Sequence, residues 1–262
     1  RAIRAVYDGQ NLTYEEIHRF ENVPIEKDGH LCWDVETLLK EIHTAIQKAG
    51  TFDSLGFDTW GVDFGLLDAD GHLLANPVHY RDARTNGKPE QAAARMPAEE
   101  LYAHTGNQIM VINTLFQLLA LREQDPELLQ KTAQILFMPD LFAALLGAEP
   151  VCERSIASTS QMLDPRTGQW SREVLAVYGL NEKHFAPIVA SGTVTGTLAN
   201  GAKIIAVAGH DTQCASAAMP CAEEDAEHTV FLSCGTWSLL GTELDAPILT
   251  ADSCQSGFHL QE

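Results

Sequence analysis

The clearest periodic pattern in the chain lies between Asp34 and Gly50. Apolar residues recur there at intervals of three and four, the spacing of one buried face of an amphipathic helix: Val35, Leu38, Leu39, Ile42 and Ile46. Asp34 favours the N-cap position of a helix, and Gly50 favours the position just after its last turn. The pattern predicts a helix over this segment, with its apolar stripe facing a core.

Shorter apolar runs predict strands at both ends of the chain. The predicted strands cover residues 2–6, 12–19, 54–58, 62–67, 203–208 and 229–232. Asp8-Gly9 is a strong turn signal and joins the first two strands as a hairpin. Residues 97–147 form a mainly helical middle, and further helices are predicted over 172–178 and 213–219.

The composition of the chain changes near Pro220, where a segment of small residues gives way to an acidic patch. We place a domain boundary there. This predicts one domain over residues 1–219 and the beginning of a second over 220–262.

The composition describes a folded, acidic protein. Of its 262 residues 45% are hydrophobic, which is enough to build a buried core. With 17 basic and 36 acidic residues the formal net charge is −19, and such a chain repels nucleic acids and anionic membranes.

No apolar run approaches the roughly 20 residues that cross a bilayer. The cysteines are scattered without a C-x-x-C pair, which argues against zinc and for reduced thiols, so we expect a soluble cytoplasmic protein.

The first candidate site is the turn at Thr59-Trp60-Gly61, between two predicted strands. A glycine there allows a ligand to approach the backbone closely, and an aromatic ring beside a polar turn is typical of sugar sites. An ordinary tight connection with a packed Trp60 explains the same residues. On the residues alone, that structural interpretation is favoured.

The second candidate is Gly209-His210-Asp211-Thr212, between a predicted buried strand and a helix. Ligands of open α/β sheets collect beyond the carboxyl ends of strands, where Asp211 would meet a substrate hydroxyl as general base. Asp211 would serve equally well as the N-cap of the following helix. A hydrolase dyad of His210 with Asp211 is disfavoured, because we expect adjacent residues at a strand end to point apart.

The third candidate is Ser233-Cys234-Gly235-Thr236, a small-residue turn after a predicted strand. Its backbone amides and the Thr236 hydroxyl would suit an anion, although a plain hairpin turn is the favoured interpretation from the residues alone. The chain contains no G-x-x-x-x-G-K-[ST], G-x-G-x-x-G or G-x-S-x-G pattern. The P-loop, Rossmann and α/β-hydrolase fingerprints are therefore absent.

Four motifs, in order along the chain, resemble those of the FGGY carbohydrate kinases, and most of all those of the rhamnulokinase branch. They are DTWGVDF (58–64), YRDARTNG (80–87), GHDT (209–212) and SCGTWS (233–238). The segments IHRFEN (17–22) and NTLFQL (113–118) are similar to the same branch. Many FGGY kinases carry a Lys and a Trp where this chain has Gln117 and Ala120, which weakens the resemblance to glycerol, xylulose and gluconate kinases.

The resemblance implies an α/β fold of the actin-like ATPase (ribonuclease H-like) type, with a mixed sheet and flanking helices, plus an incomplete second domain of the same type. It implies transfer of the γ-phosphoryl group of ATP, with Mg²⁺, to the 1-hydroxyl of L-rhamnulose in L-rhamnose catabolism. By the same resemblance Asp211 is the catalytic base. Gly61, His210, Asp211 and Thr212 contact the sugar, and Thr236 binds ATP.

Two parts of the family pattern are not found in this sequence. The Asp-x-Gly phosphate hairpin would precede Arg1, and most of the nucleotide-binding domain would follow Glu262. We therefore expect a fragment that is inactive by itself and that self-associates through uncovered apolar surface. The alternatives are a non-catalytic sugar-binding or oligomerisation module, or a kinase for another ketose such as L-fuculose.

Overall fold

Strands and helices are mixed along the chain, as in an α/β protein. The computed structural model describes residues 1–222, 225, 228–234 and 238–261. The strands are β1 (Ala2–Tyr7), β2 (Leu12–His18), β3 (Ile25–Lys27), β4 (His30–Cys32), β5 (Ser54–Leu55), β6 (Phe64–Leu67), β7 (Leu73–Ala75), β8 (Gln134–Phe137), β9 (Cys152–Glu153), β10 (Leu163–Asp164), β11 (Gln169–Trp170), β12 (Ile188–Val189), β13 (Thr193–Thr197), β14 (Lys203–Ala206), β15 (Phe231–Cys234) and β16 (Ser238–Gly241). The α-helices are α1 (Val35–Ala49), α2 (Lys88–Ala93), α3 (Ala98–Thr105), α4 (Thr114–Gln124), α5 (Pro126–Lys131), α6 (Met138–Leu145), α7 (Arg154–Ser158), α8 (Arg172–Tyr178), α9 (Asp211–Ala217) and α10 (Ala251–Gln255).

The elements with the strongest local signals form where they were predicted. β1 and β2 pair antiparallel around Gly9, which turns the chain at a φ of 97°. The predicted helix is α1, whose N-cap Asp34 accepts a hydrogen bond from the Thr37 amide at 3.1 Å. The helix predicted over 172–178 is confirmed as α8. These predictions hold because caps and turn residues act locally.

Two three-stranded sheets position the functional segments. In the first, the spatial order is β13-β14-β5, with β14 parallel to β5. In the second, the order is β7-β6-β8 with antiparallel pairing throughout. The chain crosses from the first sheet to the second between β5 and β6, over residues 56–63. The predicted strands over 54–58 and 62–67 are therefore shorter than expected, because the residues between β5 and β6 turn rather than extend.

The core is centred on α4, which is buried along most of its length. Its apolar residues pack with those of β6, β8 and α6 in one cluster, including Leu115, Phe116, Leu118, Leu136 and Phe137, each 0% exposed. Two polar residues of the same helix, Thr114 and Gln117, are equally buried. Buried polar groups need hydrogen-bond partners, and both of these side chains find theirs in the turn between the two sheets.

Within the part of the chain that the structure describes, no helix has the length and apolar composition that a membrane crossing requires.

Candidate functional site

The turns that follow β5 and β14 lie side by side. The Thr59 amide donates to the Gly209 carbonyl at 2.9 Å, and the Asp211 amide donates to the Thr59 carbonyl at 2.8 Å. Because β5 and β14 are parallel, their carboxyl ends meet at one edge of the sheet. The structure thus joins the first two candidate segments of the sequence into a single site.

Asp211 presents its carboxylate at the start of α9. Its side chain is 61% exposed, and Oδ1 accepts a hydrogen bond from the adjacent Thr212 amide at 2.7 Å. The N-cap of α9 is His210, and no side chain caps the helix. The alternative role of Asp211 as N-cap is therefore not what the structure shows. A carboxylate in the first turn still benefits from the positive end of the helix dipole.

The Thr212 hydroxyl lies 3.4 Å from Asp211 Oδ1. Cys214, further along α9, is not a ready nucleophile. Burial, followed by the charges of Asp58, Glu153 and Asp211, raises the pKa of this thiol to about 11. The exposed carboxylate of this stretch is that of Asp211.

His210 lies behind Asp211 and is mostly buried. Its Nε2 is 3.5 Å from Asp211 Oδ1, and its Nδ1 is 3.2 Å from Gln261 Oε1. The expectation that the two adjacent side chains point apart is wrong, because alternation holds only within a strand and Asp211 is already helical. Burial lowers the pKa of His210, while the Asp211 carboxylate opposes the shift.

The segment that carries Gln261 packs against the end of α3. The Leu260 amide donates to the Gly106 carbonyl at 2.9 Å, and Asn107 Nδ2 donates to the Leu260 carbonyl at 3.1 Å. His259, in the same segment, has its pKa lowered to about 4 by burial and by the nearby His210. His210 is thus held between Asp211 on one side and a neutral, buried environment on the other.

The buried Glu153 carboxylate holds the segment that precedes His210. Its buried Oε2 accepts hydrogen bonds from the Gly209 amide (3.0 Å) and from the amides of Ser155 and Ile156 (3.0 and 3.2 Å). Oε1 accepts a hydrogen bond from the Ser191 hydroxyl at 2.6 Å. One carboxylate therefore caps α7 and anchors the residue before His210. Sequence reasoning missed Glu153, because glutamate is not a preferred N-cap and no motif marks it.

Gly61 begins a tight turn across from His210. The Asp63 amide donates to the Gly61 carbonyl at 2.9 Å, and Val62 between them has a φ of 66°. A positive φ is strained for a β-branched residue, at a cost of about 1–3 kcal/mol, and persists only where neighbours over-determine it. Here the Thr159 hydroxyl accepts from the Val62 amide at 3.1 Å, and the Thr114 hydroxyl donates to the Val62 carbonyl at 2.7 Å.

Asp63, the last residue of this turn, is 0% exposed. Its Oδ2 accepts hydrogen bonds from the indole Nε1 of Trp33 (2.6 Å), the indole Nε1 of Trp60 (3.0 Å) and the Tyr80 amide (3.2 Å). Its Oδ1 accepts a hydrogen bond from Gln117 Nε2 at 3.0 Å. Burial raises the pKa of Asp63 to about 6, and the four donors oppose the rise.

Arg84 brings a positive charge to the same cluster. Its Nη2 donates to Gln117 Oε1 at 2.8 Å, so Gln117 bridges the guanidinium and the Asp63 carboxylate. Burial lowers the pKa of Arg84, and the charges of Asp63 and Asp82 oppose this. The sequence marked residues 80–87 and Gln117 by resemblance. Only the structure shows that they meet at Asp63.

The remaining predicted site residue is not located. Ser233 and Cys234 end β15, which pairs antiparallel with β16. Gly235 and Thr236 lie outside the described residues, and so does most of the acidic patch after Pro220. The predicted ATP contact of Thr236 stays a prediction, as does the domain boundary.

In the described ranges, one group of three metal-ligand side chains lies close together: Asp68, Asp70 and His72. They occupy the turn after β6, at the opposite end of that strand from Gly61. Asp68 Oδ1 is already used by the amides of Asp70 and His72, each at 2.9 Å. Within the described ranges, this group does not include Asp211.

Comparison with known proteins gives one family match over most of the chain. Residues 5–217 match the FGGY family of carbohydrate kinases, N-terminal domain. A curated rhamnulokinase of Bacteroides thetaiotaomicron is 40% identical over 266 residues, which cover 97% of this chain and 54% of that protein. The chain therefore spans about half the length of this relative.

Solved structures of sugar kinases share the fold. A ligand-bound xylulose kinase from Lactobacillus acidophilus superposes with a TM-score of 0.77 at 18% identity, over 93% of this chain and 51% of that one. A carbohydrate kinase from Novosphingobium aromaticivorans gives a TM-score of 0.72 at 20% identity, over 95% and 56%. The predicted α/β fold of the actin-like ATPase type is confirmed.

Proposed function

Because the chain belongs to the FGGY family of carbohydrate kinases, we propose that it forms the sugar-binding part of a kinase that transfers the γ-phosphoryl group of ATP to the 1-hydroxyl of L-rhamnulose. The 40% identity to a curated rhamnulokinase supports this sugar. The observation that carries the proposal is the position of Asp211. Its carboxylate is exposed and lies beside His210 and the Gly61 turn, and Asp211 is not the N-cap of α9.

In this proposal Asp211 is the general base. It accepts the proton of the attacking sugar hydroxyl, and the oxygen so activated bonds to the γ-phosphorus as the bond to ADP breaks. Phosphoryl transfer depends mainly on positioning and charge stabilisation. His210 and Thr212 would contact neighbouring sugar hydroxyls, and Gly61 would let the sugar approach the backbone. Burial lowers the pKa of His210, and a neutral imidazole ring both donates and accepts hydrogen bonds.

ATP and Mg²⁺ complete the proposal. MgATP supplies an electrophilic phosphoryl group whose charge is partly neutralised by the metal. Thr236 is the residue of this chain that we assign to ATP, by its resemblance to the family motif. A cytoplasmic location, where ATP is available, belongs to the same proposal.

Isothermal titration of the chain with L-rhamnulose, L-fuculose and L-xylulose tests the sugar assignment. We expect L-rhamnulose to bind most tightly, and Asp211→Asn to bind it within about threefold of the parent, a change below roughly 1 kcal/mol. The matched control is Asp58→Asn, an exposed carboxylate near the same turn, which should leave all three affinities unchanged. Equal affinity for the three ketoses would overturn L-rhamnulose as the substrate, and no binding of any sugar would overturn the sugar site.

A further inference from the structure

A single buried carboxylate, that of Asp63, joins four segments around the proposed sugar site. Its donors come from the entrance to α1 (Trp33), the turn after β5 (Trp60), the loop before α2 (Tyr80) and the buried helix α4 (Gln117). The four donors lie at positions 33, 60, 80 and 117, so each comes from a separate segment of the chain. The carboxylate therefore acts as a common anchor for their relative positions.

The bond to Trp60 has a special geometry, because it spans the strained turn. Trp60 precedes Gly61 and Asp63 follows Val62, so the indole-to-carboxylate hydrogen bond closes a ring around the positive-φ residue. Inside that ring the Asp63 amide bonds to the Gly61 carbonyl. The side-chain bond thus holds the Trp60 indole against the same turn that presents Gly61 to His210.

An unpaired buried carboxylate is costly, and this one has no direct ion pair among the described residues. Its nearest compensating charge is Arg84, which reaches it through Gln117. Packing alone does not require such an arrangement, since an apolar residue avoids the cost altogether. Buried polar networks of this kind orient their members more narrowly than apolar contacts do.

We propose that Asp63 is a positioning residue of the sugar site. It sets the orientation of the Trp60 indole and of the Gly61 turn, and through Gln117 it ties that turn to α4 and Arg84. The inference rests on the proposed sugar-binding function, and it adds to it a residue that contacts no substrate. It also explains a role for Gln117, whose amide both donates to Asp63 and accepts from Arg84.

The first test follows the indole groups and needs no sugar. In a chain labelled with ¹⁵N at tryptophan, Asp63→Asn should shift the Nε1–H resonances of Trp33 and Trp60 and hasten their exchange with solvent. The Trp170 indole donates to the Ala186 carbonyl at 3.0 Å and not to Asp63. Its resonance is the internal control and should not shift. An unchanged Trp60 resonance in a folded Asp63→Asn chain would overturn the proposal.

The second test separates positioning from general stability. Trp60→Phe and Trp33→Phe each remove one indole donor from the same Asp63 oxygen, and Trp33 is the more deeply buried of the two, so its loss should cost at least as much stability. Only Trp60 belongs to the turn that carries Gly61. We expect Trp60→Phe to weaken L-rhamnulose binding about tenfold and Trp33→Phe to weaken it less than about threefold. Equal losses in both variants would show a purely structural role and overturn the proposal.

The two tests also keep this inference apart from the proposed function. If Asp63→Asn fails to fold, the pair of tryptophan variants decides. If the parent chain binds no L-rhamnulose, the proposed substrate fails, while the indole resonances still report whether Asp63 orients Trp60.

Discussion

Gly61 faces His210 so closely that a methyl group on Gly61 would stand 3.2 Å from the Cδ2 and Nε2 atoms of the imidazole. The same methyl group would be 3.2 Å from Thr159 Cγ2, the side chain that holds the Val62 amide. Contacts of 3.0–3.4 Å are tighter than nearly all real Cβ contacts, so a neighbour would have to move. The absence of a side chain at position 61 therefore sets the distance between the two halves of the site.

Gly61→Ala should weaken sugar binding, because either His210 or the turn must shift to admit the methyl group. We expect a loss of about tenfold in affinity for L-rhamnulose, because a neighbour of the methyl group must give by a few tenths of an ångström beside the proposed sugar contacts. Gly65→Ala is the control. Its methyl group would meet Leu141 in the core at 2.5 Å, so it should lower stability without lowering the sugar affinity of the folded protein. Equal sugar affinity in Gly61→Ala and the parent would contradict the assignment of Gly61.

Asp211→Asn should keep sugar binding and nearly abolish phosphoryl transfer in a catalytically active form of the protein. The amide retains the size of the side chain but cannot accept the hydroxyl proton, and loss of a general base costs roughly 10²–10⁴-fold in rate. The thermal unfolding midpoint should hardly change, because Asp211 caps no helix. A turnover within about threefold of the parent, measured as ADP production at saturating sugar and ATP, would remove Asp211 from the mechanism.

Glu153→Gln should destabilise the protein and loosen the Gly209–Asp211 segment. An amide cannot accept hydrogen bonds at both positions as the carboxylate does, so donors now bound to Glu153 lose their partner. We expect a loss of about 2 kcal/mol in the free energy of unfolding, measured with denaturant. Glu149→Gln, an exposed neighbour on the same segment, is the control and should change little. Similar small effects of both substitutions would show that Glu153 anchors nothing.

The free energy of unfolding should depend on pH through Asp63. Its pKa is raised to about 6 in the folded protein, so between its ordinary value of 3.8 and about 6 the folded state holds a proton that the unfolded state has lost. This contribution to stability is full below pH 3.8 and is lost as the pH rises through about 6. The stability of the parent minus that of Asp63→Asn should therefore fall by about 3 kcal/mol between pH 3.5 and pH 7. His79 and Arg84 are present in both proteins, so their contributions to the pH dependence cancel in the difference. A stability difference that stays flat or rises with pH would show that the pKa of Asp63 is not raised.

The predicted self-association should involve the β15–β16 hairpin. Leu232 and Leu240 are directly paired across it, and they are 62% and 73% exposed. Exposed apolar pairs on a sheet of only two described strands favour association. Light scattering should show a mass that rises with concentration, and Leu232→Lys with Leu240→Glu should reduce that rise. A monomer over the whole concentration range would contradict this prediction.

Local signals in the sequence determined much of the secondary structure. The hairpin around Gly9 and the helix that begins after Asp34 form as predicted, because turn and cap residues act on neighbours within a few positions. The same motifs that resemble the kinase family also marked Gly61, His210 and Asp211. Whether Asp211 is the N-cap of α9 could not be decided from the residues, because the answer depends on the exact residue at which the helix begins.

Tertiary structure alone decided which polar residues meet. The network of Asp63, Gln117 and Arg84 joins residues that are far apart in the sequence. No local sequence pattern predicts that they are buried together. Glu153 likewise reaches Gly209 across 56 positions. Hydrophobic periodicity tells which face of an element is buried, but a buried polar group is stable only where the rest of the fold supplies its partners. That matching is a property of the assembled chain, because each partner comes from a different element.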